Sequence, residues 1–267
     1  MAFQNIGFLG CGNMGGALAR ACAKRTKHIL LSNRTPAKAE ALAAELGCQA
    51  AGNRDVAQQC DLIFLGVKPQ MMSALLAELA PGLKARQDRF VLVSMAAGLT
   101  IETIRAMAGD DYPVIRIMPN TPAAIGEGMI LYCAEGVMPE EKTAFVDGMQ
   151  AAGSFDELGE NLIDAGSAVS GCGPAFVYPF IEAMADGAVA CGLPRAKAQL
   201  YAAQTLVGAA RLVLESGDHP GALKDAVCSP GGSTIQGVRA LEQNGFRSAV
   251  METVIAAYEK TAALGKQ

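Results

Sequence analysis

Two short runs in this sequence set glycines beside amide, hydroxyl and thiol side chains: Gly10-Cys11-Gly12-Asn13-Met14-Gly15 near the start and Ser229-Pro230-Gly231-Gly232-Ser233-Thr234-Ile235 near the end. Such runs expose backbone N–H groups, and a helix that follows adds its first amides, so both suit an anion. In the first, Gly10 permits a tight turn, Gly12 lets the backbone approach a pyrophosphate, and Gly15 lets helix and strand pack closely. Glycines can serve turns alone. Here an apolar strand pattern precedes the run and a helical one follows it, the context that marks a dinucleotide site formed by Gly10, Cys11, Gly12, Asn13, Met14 and Gly15. The second run, leading into a helix, suits a carboxylate.

The end of the second strand decides which dinucleotide. An acid there would bind the ribose hydroxyls of NAD and repel the extra phosphate of NADP. The residues are Ser32-Asn33-Arg34-Thr35. With no acid and an arginine among amide and hydroxyl neighbours, NADP(H) is preferred, with NAD(H) as a second cofactor; a merely solvated Arg34 is the competing reading. Three further runs stand at the carboxyl ends of expected strands, where ligands bind in such sheets: Gly66-Val67-Lys68-Pro69-Gln70, Ser94-Met95-Ala96-Ala97-Gly98 and Arg116-Ile117-Met118-Pro119-Asn120-Thr121-Pro122.

These groups need a scaffold, and the apolar patterning supplies one. Strands are expected at Asn5–Leu9, His28–Ser32, Asp61–Val67, Arg89–Ser94 and Pro113–Met118, alternating with helices at Met14–Lys24, Pro36–Leu46 and Gln70–Leu79, the last two of this series divided by Gly47 as a helix-ending glycine. Two more strands, Met129–Cys133 and Ser154–Leu158, flank a helix near Pro139–Ala152. The result is an α/β fold, a Rossmann-type doubly wound, mostly parallel sheet. After Glu160 the strands stop, and long helices are expected at Pro174–Cys191, with Pro179 as a kink site and Gly192 past its end, at Pro194–Glu215 and at Phe246–Lys266. Residues 1–159 therefore read as a dinucleotide-binding domain and 160–267 as an all-helical second domain. The second of these helices is apolar around most of its circumference, through Ala202, Ala203, Leu206, Val207, Ala209 and Ala210, which points to burial against another subunit.

With 267 residues, 51% of them hydrophobic and 18% charged, the chain has ample material for two cores. A net charge of −4 without a basic stripe excludes nucleic acid as a partner. The N-terminal residues lack the basic start and cleavage site of a secretory signal, and the longest uncharged stretch, between Asp164 and Glu182, is broken by glycine and proline; no membrane association and a cytoplasmic location are expected. The eight cysteines show no two-residue-gap pair, and the two histidines, His28 and His219, have no partners in the sequence, so no metal site is expected.

Taken in order, these runs resemble pyrroline-5-carboxylate reductase over essentially the whole chain, most specifically in the glycine loop and Ser229–Ile235. The resemblance implies an oxidoreductase of proline biosynthesis that uses NAD(P)H to reduce the ring imine of a small-molecule substrate to L-proline. It also implies a helical dimerisation domain whose subunits interlock, as a homo-oligomer that is a dimer or a ring of dimers. By the same resemblance Asn33, Arg34, Asn53, Lys68, Ala97 and Gly98 line the cofactor, joined by their strand-end neighbours Val67, Pro69, Ala96 and Asn120. The Thr234 hydroxyl hydrogen-bonds the substrate nitrogen, the backbone around Ser233, with Ser229, Gly231 and Gly232, holds its carboxylate, and Glu160 lies by the substrate pocket. A serine is usual in the family where Cys172 stands, which leaves no hydroxyl role there.

A protonated cyclic imine needs positioning more than a strong enzyme acid, in keeping with the scarcity of histidine. Thr234 is the expected catalytic residue; its competing reading is an N-cap for the helix near Ile235. A β-hydroxyacid dehydrogenase would share the two-domain plan but needs a lysine in the first long helix of the second domain, and none lies between Gly171 and Leu193. A non-catalytic NADP-sensing dimer would have no use for the Ser229–Thr234 loop.

Overall fold

The computed structural model describes residues 3–264. In chain order it forms β1 (Ile6–Leu9), α1 (Asn13–Cys22), β2 (Ile29–Ser32), α2 (Pro36–Leu46), β3 (Gln49–Ala50), α3 (Asn53–Gln59), β4 (Leu62–Leu65), α4 (Pro69–Lys84), β5 (Val91–Ser94), α5 (Ile101–Ala108), β6 (Val114–Met118), β7 (Gly128–Glu135), α6 (Pro139–Met149), β8 (Gly153–Glu157) and α7 (Glu160–Ser170). Then follow α8 (Gly173–Ala190), α9 (Arg195–Ser216), α10 (Pro220–Ala226), α11 (Ser233–Gln243) and α12 (Phe246–Leu264). Short 3₁₀ turns occupy Thr121–Ile125 and Gln150–Ala152. Contact density divides the chain into one unit up to Cys172, with the stretch from Ala257 onward, and a second from Gly173 to Ala256.

The first unit is built on an eight-stranded sheet in the order β3-β2-β1-β4-β5-β6-β7-β8. Every neighbouring pair is parallel except β6 and β7. The four-residue strands β1, β4 and β5 are buried at every position, as parallel strands covered on both faces must be. Successive side chains alternate between two cores. Phe8, Leu31, Phe64, Val93 and Ile115 face one layer with Leu18 of α1, Leu42 of α2 and Phe145 of α6. Leu9, Ile63, Leu65, Leu92 and Val114 face the other with Val56 of α3, Leu76 of α4, Ile104 of α5 and Ile163 of α7. Phe8 and Phe64 stack at 4.3 Å between ring centroids, locking β1 to β4. Chain order reverses across β1, between β2 and β4, which opens the crevice where such sheets bind ligands.

The expected strands are all present, with ends shifted by a residue or two. β3 is additional. Two residues long and exposed, it carries no periodic signal. The helices α3, α5, α7 and α10 are additional too. Gly47 adopts the left-handed conformation that ends α2, and Gly192 has a positive φ of 94° after α8. α8 runs on through Pro179 without a break in its helical assignment. The last two residues of the expected helix Phe246–Lys266 lie outside the described residues.

In the second unit α8 and α9 pack on each other through Ala185, Ala198 and Ala202, flanked by Ile181, Val189 and Leu193. No other residue of this unit is buried. Large apolar side chains stand in the open instead, with Leu214 83%, Val227 64% and Leu200 63% exposed. No helix among the described residues is long and apolar enough to cross a membrane.

Candidate active site

The loop after β1 is held by its neighbours at almost no clearance. Gly10 has φ +109°, open to glycine and costly for any other residue. A Cβ there would press into the carbonyl of Gly66, and one on Gly15 into the carbonyl of Gly10. Gly12 is the opposite case. A Cβ on it would meet nothing within 4 Å, and it caps α1 without a side chain, so no capping side chain satisfies the first amides of that helix. The geometry is that of a phosphate cradle.

The second strand end closes on this loop. Asn33 Oδ1 accepts from Cys11 N at 3.1 Å while Asn33 Nδ2 donates to the Thr35 carbonyl at 3.1 Å, tying the two loops together. Ser32 Oγ donates to Asn53 Oδ1 at 2.7 Å, and Asn53 Nδ2 donates to Glu78 Oε2 at 3.0 Å. Arg34 donates to Met71 Sδ at 3.8 Å and has no carboxylate partner among the described residues, so its charge stands unneutralised. A cavity of about 450 Å³ opens here, lined by Ser32, Asn33, Arg34, Glu40, Gly52 and Asn53. Another, of about 550 Å³, lies at the amino ends of β1 and β4, against Ile6 and Leu62. That is the wrong end of the sheet for a ligand of this fold.

The other rim positions follow at the ends of β4, β5 and β6. Val67 and Lys68 lead into α4 with Pro69 at its first turn, and Lys68 is exposed. Ala96 and Gly98 are buried, which limits them to backbone contacts, and Ala97 is half-buried between them. Asn120 is 8% exposed, and both ends of its carboxamide are engaged: Oδ1 accepts from Met129 N at 3.0 Å and Nδ2 donates to the Ser170 carbonyl at 2.9 Å. Cys11 donates its thiol to the Ser32 carbonyl at 3.5 Å. Burial, with a smaller contribution from Cys48, pushes that thiol up to about 11. It is therefore no nucleophile near neutral pH. No cluster of metal-ligating side chains occurs among the described residues.

Glu160 opens α7. Its Oε1 accepts from Ile101 N at 2.8 Å and from Arg116 Nη1 at 3.3 Å, and Arg116 Nη2 donates to Asp164 Oδ1 at 2.6 Å. Sequence reasoning passed over Arg116, although a lone arginine inside the apolar run Val114–Met118 is a visible signal that a buried charge needs a partner. It also passed over Glu78, which has no sequence signal at all.

In the second unit the Ser229 run forms a turn closed by a hydrogen bond from Gly232 N to the Ser229 carbonyl at 3.0 Å. Gly231 takes φ +71°, which favours glycine, and a Cβ on Gly232 would press on Ser229 Oγ, which would have to turn aside. α11 then starts at Ser233 with Gly232 as its cap and no side-chain capping bond. The N-cap reading of Thr234 is thereby corrected: it stands inside the first turn, exposed, beside uncapped amides.

A doubly wound sheet with a glycine cradle, an acid-free second strand end and an unpaired arginine beside it, continued by a helical half, defines a two-domain NADP-dependent oxidoreductase. Comparison with known proteins narrows the class. Residues 5–98 match the family described as "NADP oxidoreductase coenzyme F420-dependent" and residues 160–264 the one described as "Pyrroline-5-carboxylate reductase dimerisation". The chain is 44% identical to pyrroline-5-carboxylate reductase of Escherichia coli, over 98% of this chain and 99% of that one. Among solved structures, a pyrroline-5-carboxylate reductase from Coxiella burnetii superposes with a TM-score of 0.90 at 29% identity, covering 99% of each chain. The Plasmodium falciparum pyrroline carboxylate reductase with NADP bound gives 0.86 at 33% identity, covering 98% of each. The chain belongs to the pyrroline-5-carboxylate reductase family.

Proposed function

We propose that this protein reduces 1-pyrroline-5-carboxylate to L-proline with NADPH, the last step of proline biosynthesis. The observation that carries the reading is family membership over the full chain, and Arg34, without a carboxylate partner among the described residues at a second strand end that carries no acid, supports the choice of NADPH over NADH. When bound, NADPH supplies the hydride. Gly10, Cys11, Gly12, Asn13, Met14 and Gly15 hold its pyrophosphate on the amides of α1. Arg34, with Asn33 and Asn53, takes the phosphate on the ribose. Val67, Lys68, Pro69, Ala96, Ala97 and Gly98 complete the rim, and Asn120 joins it through its backbone alone, its carboxamide being engaged by Met129 N and the Ser170 carbonyl.

On the substrate side, the amides of Ser233 and its neighbours, with Ser229, Gly231 and Gly232, receive the carboxylate, and the Thr234 hydroxyl orients the ring nitrogen. Glu160 borders the pocket through the carboxylate oxygen not committed to Ile101. The ring carbon of the C=N bond gains the hydride and the nitrogen, protonated from water, becomes the amine, so the residues align reactants and hold charge. The exposed apolar faces of α9 and α12 and the matched dimerisation family support a homodimer, alone or in a ring of dimers; the start of that family match at residue 160 supports a domain boundary at 159/160, and a cytoplasmic setting belongs to the same reading.

The decisive experiment follows NADPH oxidation by absorbance with and without pyrroline-5-carboxylate. Substrate-dependent oxidation with formation of proline is expected; cofactor binding without turnover would overturn the reading. Thr234→Ala should then lower kcat about 10-fold, the equivalent of ~1.4 kcal/mol of transition-state stabilisation, with the KM for NADPH unchanged. Normal turnover in that variant would remove Thr234 from the chemistry.

A further inference from the structure

Arg116 is the largest fully buried side chain of the described residues, 2% exposed in the middle of β6, and its Nε has no hydrogen-bond partner. An arginine so placed is an expensive way to fill a core. Well-packed apolar residues of similar volume hold a helix against a strand as well or better. What the guanidinium adds is direction. Its fork reaches Glu160 and Asp164, one turn apart on α7, and so fixes both the rotation of that helix and its position along its axis.

The constraint extends further along the chain. Glu160 Oε1, oriented by Arg116, also accepts from Ile101 N, the first amide of α5, and thus anchors the end of the loop that leaves β5 through Ala96–Gly98. At the other end of α7, Asn120 Nδ2 donates to the Ser170 carbonyl, while Asn120 Oδ1 holds Met129 N at the start of β7. α7 is fastened to β6 in its first turn and to the loop after β6 in its last. The two strand-end loops on the β5–β6 side of the rim are therefore set by one helix and two side chains.

We propose that Arg116 and Asn120 are positioning residues for the reduction, acting through α7 to fix the loops at 95–100 and 119–121 against which the reactants must align. This rests on the reductase reading. Affinity for the cofactor comes mainly from the anion contacts on the β1–β2 side of the sheet, in the glycine cradle and at Arg34, whereas hydride transfer is sensitive to displacements well under an ångström. Loosening the β5–β6 side should consequently slow turnover with little effect on cofactor binding.

The test uses the full-length protein with Asn120→Asp, Asn120→Ala, Arg116→Lys and Arg116→Met, assayed well below the melting temperature of each. Three quantities are measured: kcat at saturating pyrroline-5-carboxylate and NADPH, the Kd of NADPH from its own fluorescence, and the melting temperature. Asn120→Ala and Arg116→Met are expected to lose about tenfold or more in kcat, with the Kd of NADPH held within about a factor of two. Arg116→Lys, which keeps the charge but loses the fork, should recover part of the loss. Asn120→Asp keeps the size and the acceptor for Met129 N but sets a carboxylate against the Ser170 carbonyl, so it should be impaired at least as much as the alanine variant. A packing role would spare it. Folded variants with lowered melting temperatures and wild-type kcat would overturn the proposal, and so would a weakened Kd with unchanged kcat, which would make these residues cofactor ligands. Should Arg116→Met not fold, the Asn120 pair decides alone. A wild-type protein that binds NADPH without turning over would sink the reductase reading instead, a result distinguishable from any of these.

Discussion

In the sheet unit, consecutive strand residues are buried on alternate faces and helices close both layers; in the helical unit, only three alanines between α8 and α9 are buried and Leu200, Leu214 and Val227 face solvent. The first unit meets the cost of ordering its chain from its own contacts. The second does not, because apolar surface left in water contributes nothing toward that cost. The difference teaches where stability is local and where the proposed homo-oligomer would have to supply it. It also separates the two proposed binding surfaces: the proposed cofactor cradle sits on the unit with two buried cores, and the Ser229 turn sits on the unit with one small cluster of buried alanines.

A matched pair of substitutions tests this most directly. Leu76→Ala, in the core under the sheet, should cost roughly 2–5 kcal/mol, and by the same amount at every protein concentration. Leu212→Glu, on an exposed apolar face of α9, should give monomers or insoluble protein, and the melting temperature of any soluble fraction should stop rising with concentration. Sedimentation and melting curves over a range of concentrations check both. A wild-type chain that stays monomeric at micromolar concentration would break the comparison.

Next in size is Gly10→Ala. A positive φ and contact with the Gly66 carbonyl impose strain of about 1–3 kcal/mol each, so turnover and NADPH affinity should together fall on the order of 100-fold, independent of concentration. Isothermal titration with NADPH and steady-state kinetics would show it. The smallest effect sharpens the comparison within the sheet unit. Arg34→Ala should raise the KM for NADPH about 10-fold, as expected from losing a charged hydrogen bond, and leave that for NADH nearly unchanged. Equal changes for both cofactors would mean that Arg34 is only a solvated side chain.

Much of this was legible in the sequence where pattern and context coincide. The run Asn5–Gly15 declares a strand, a glycine turn and a helix within a few residues, and β1, the cradle and α1 are where that pattern put them. β3 escaped because two exposed residues have no period. α5 escaped although Thr100, which accepts from Thr103 N, and Gly109, left-handed at its end, bracket it with ordinary helix signals. α7 contains Gly166 and two serines, which dilute the helical pattern that Ile163 and Ala168 carry. The network around Arg116 lay beyond local reasoning for a different cause. Its carboxylate partners are 44 and 48 residues away in the chain, a distance over which spacing carries no information about contact. The Thr234 cap was misplaced because Gly232 can end a turn and begin a helix with no side chain to announce it.

The close approach of Gly10, Gly15 and Gly66 has a consequence for anyone wishing to redesign this protein. Gly10 is the shared point: a methyl group on Gly15 or on Gly66 would press on its carbonyl, and one on Gly10 itself would press on the carbonyl of Gly66, so each replacement meets backbone rather than a side chain that could turn aside. Arg34, at the neighbouring strand end, is exposed beside a cavity and has room to vary. If the proposed cofactor contacts hold, exchange of one nicotinamide cofactor for the other is separable from the grip on the pyrophosphate: laboratory evolution could change Arg34 while the glycine joint stays fixed.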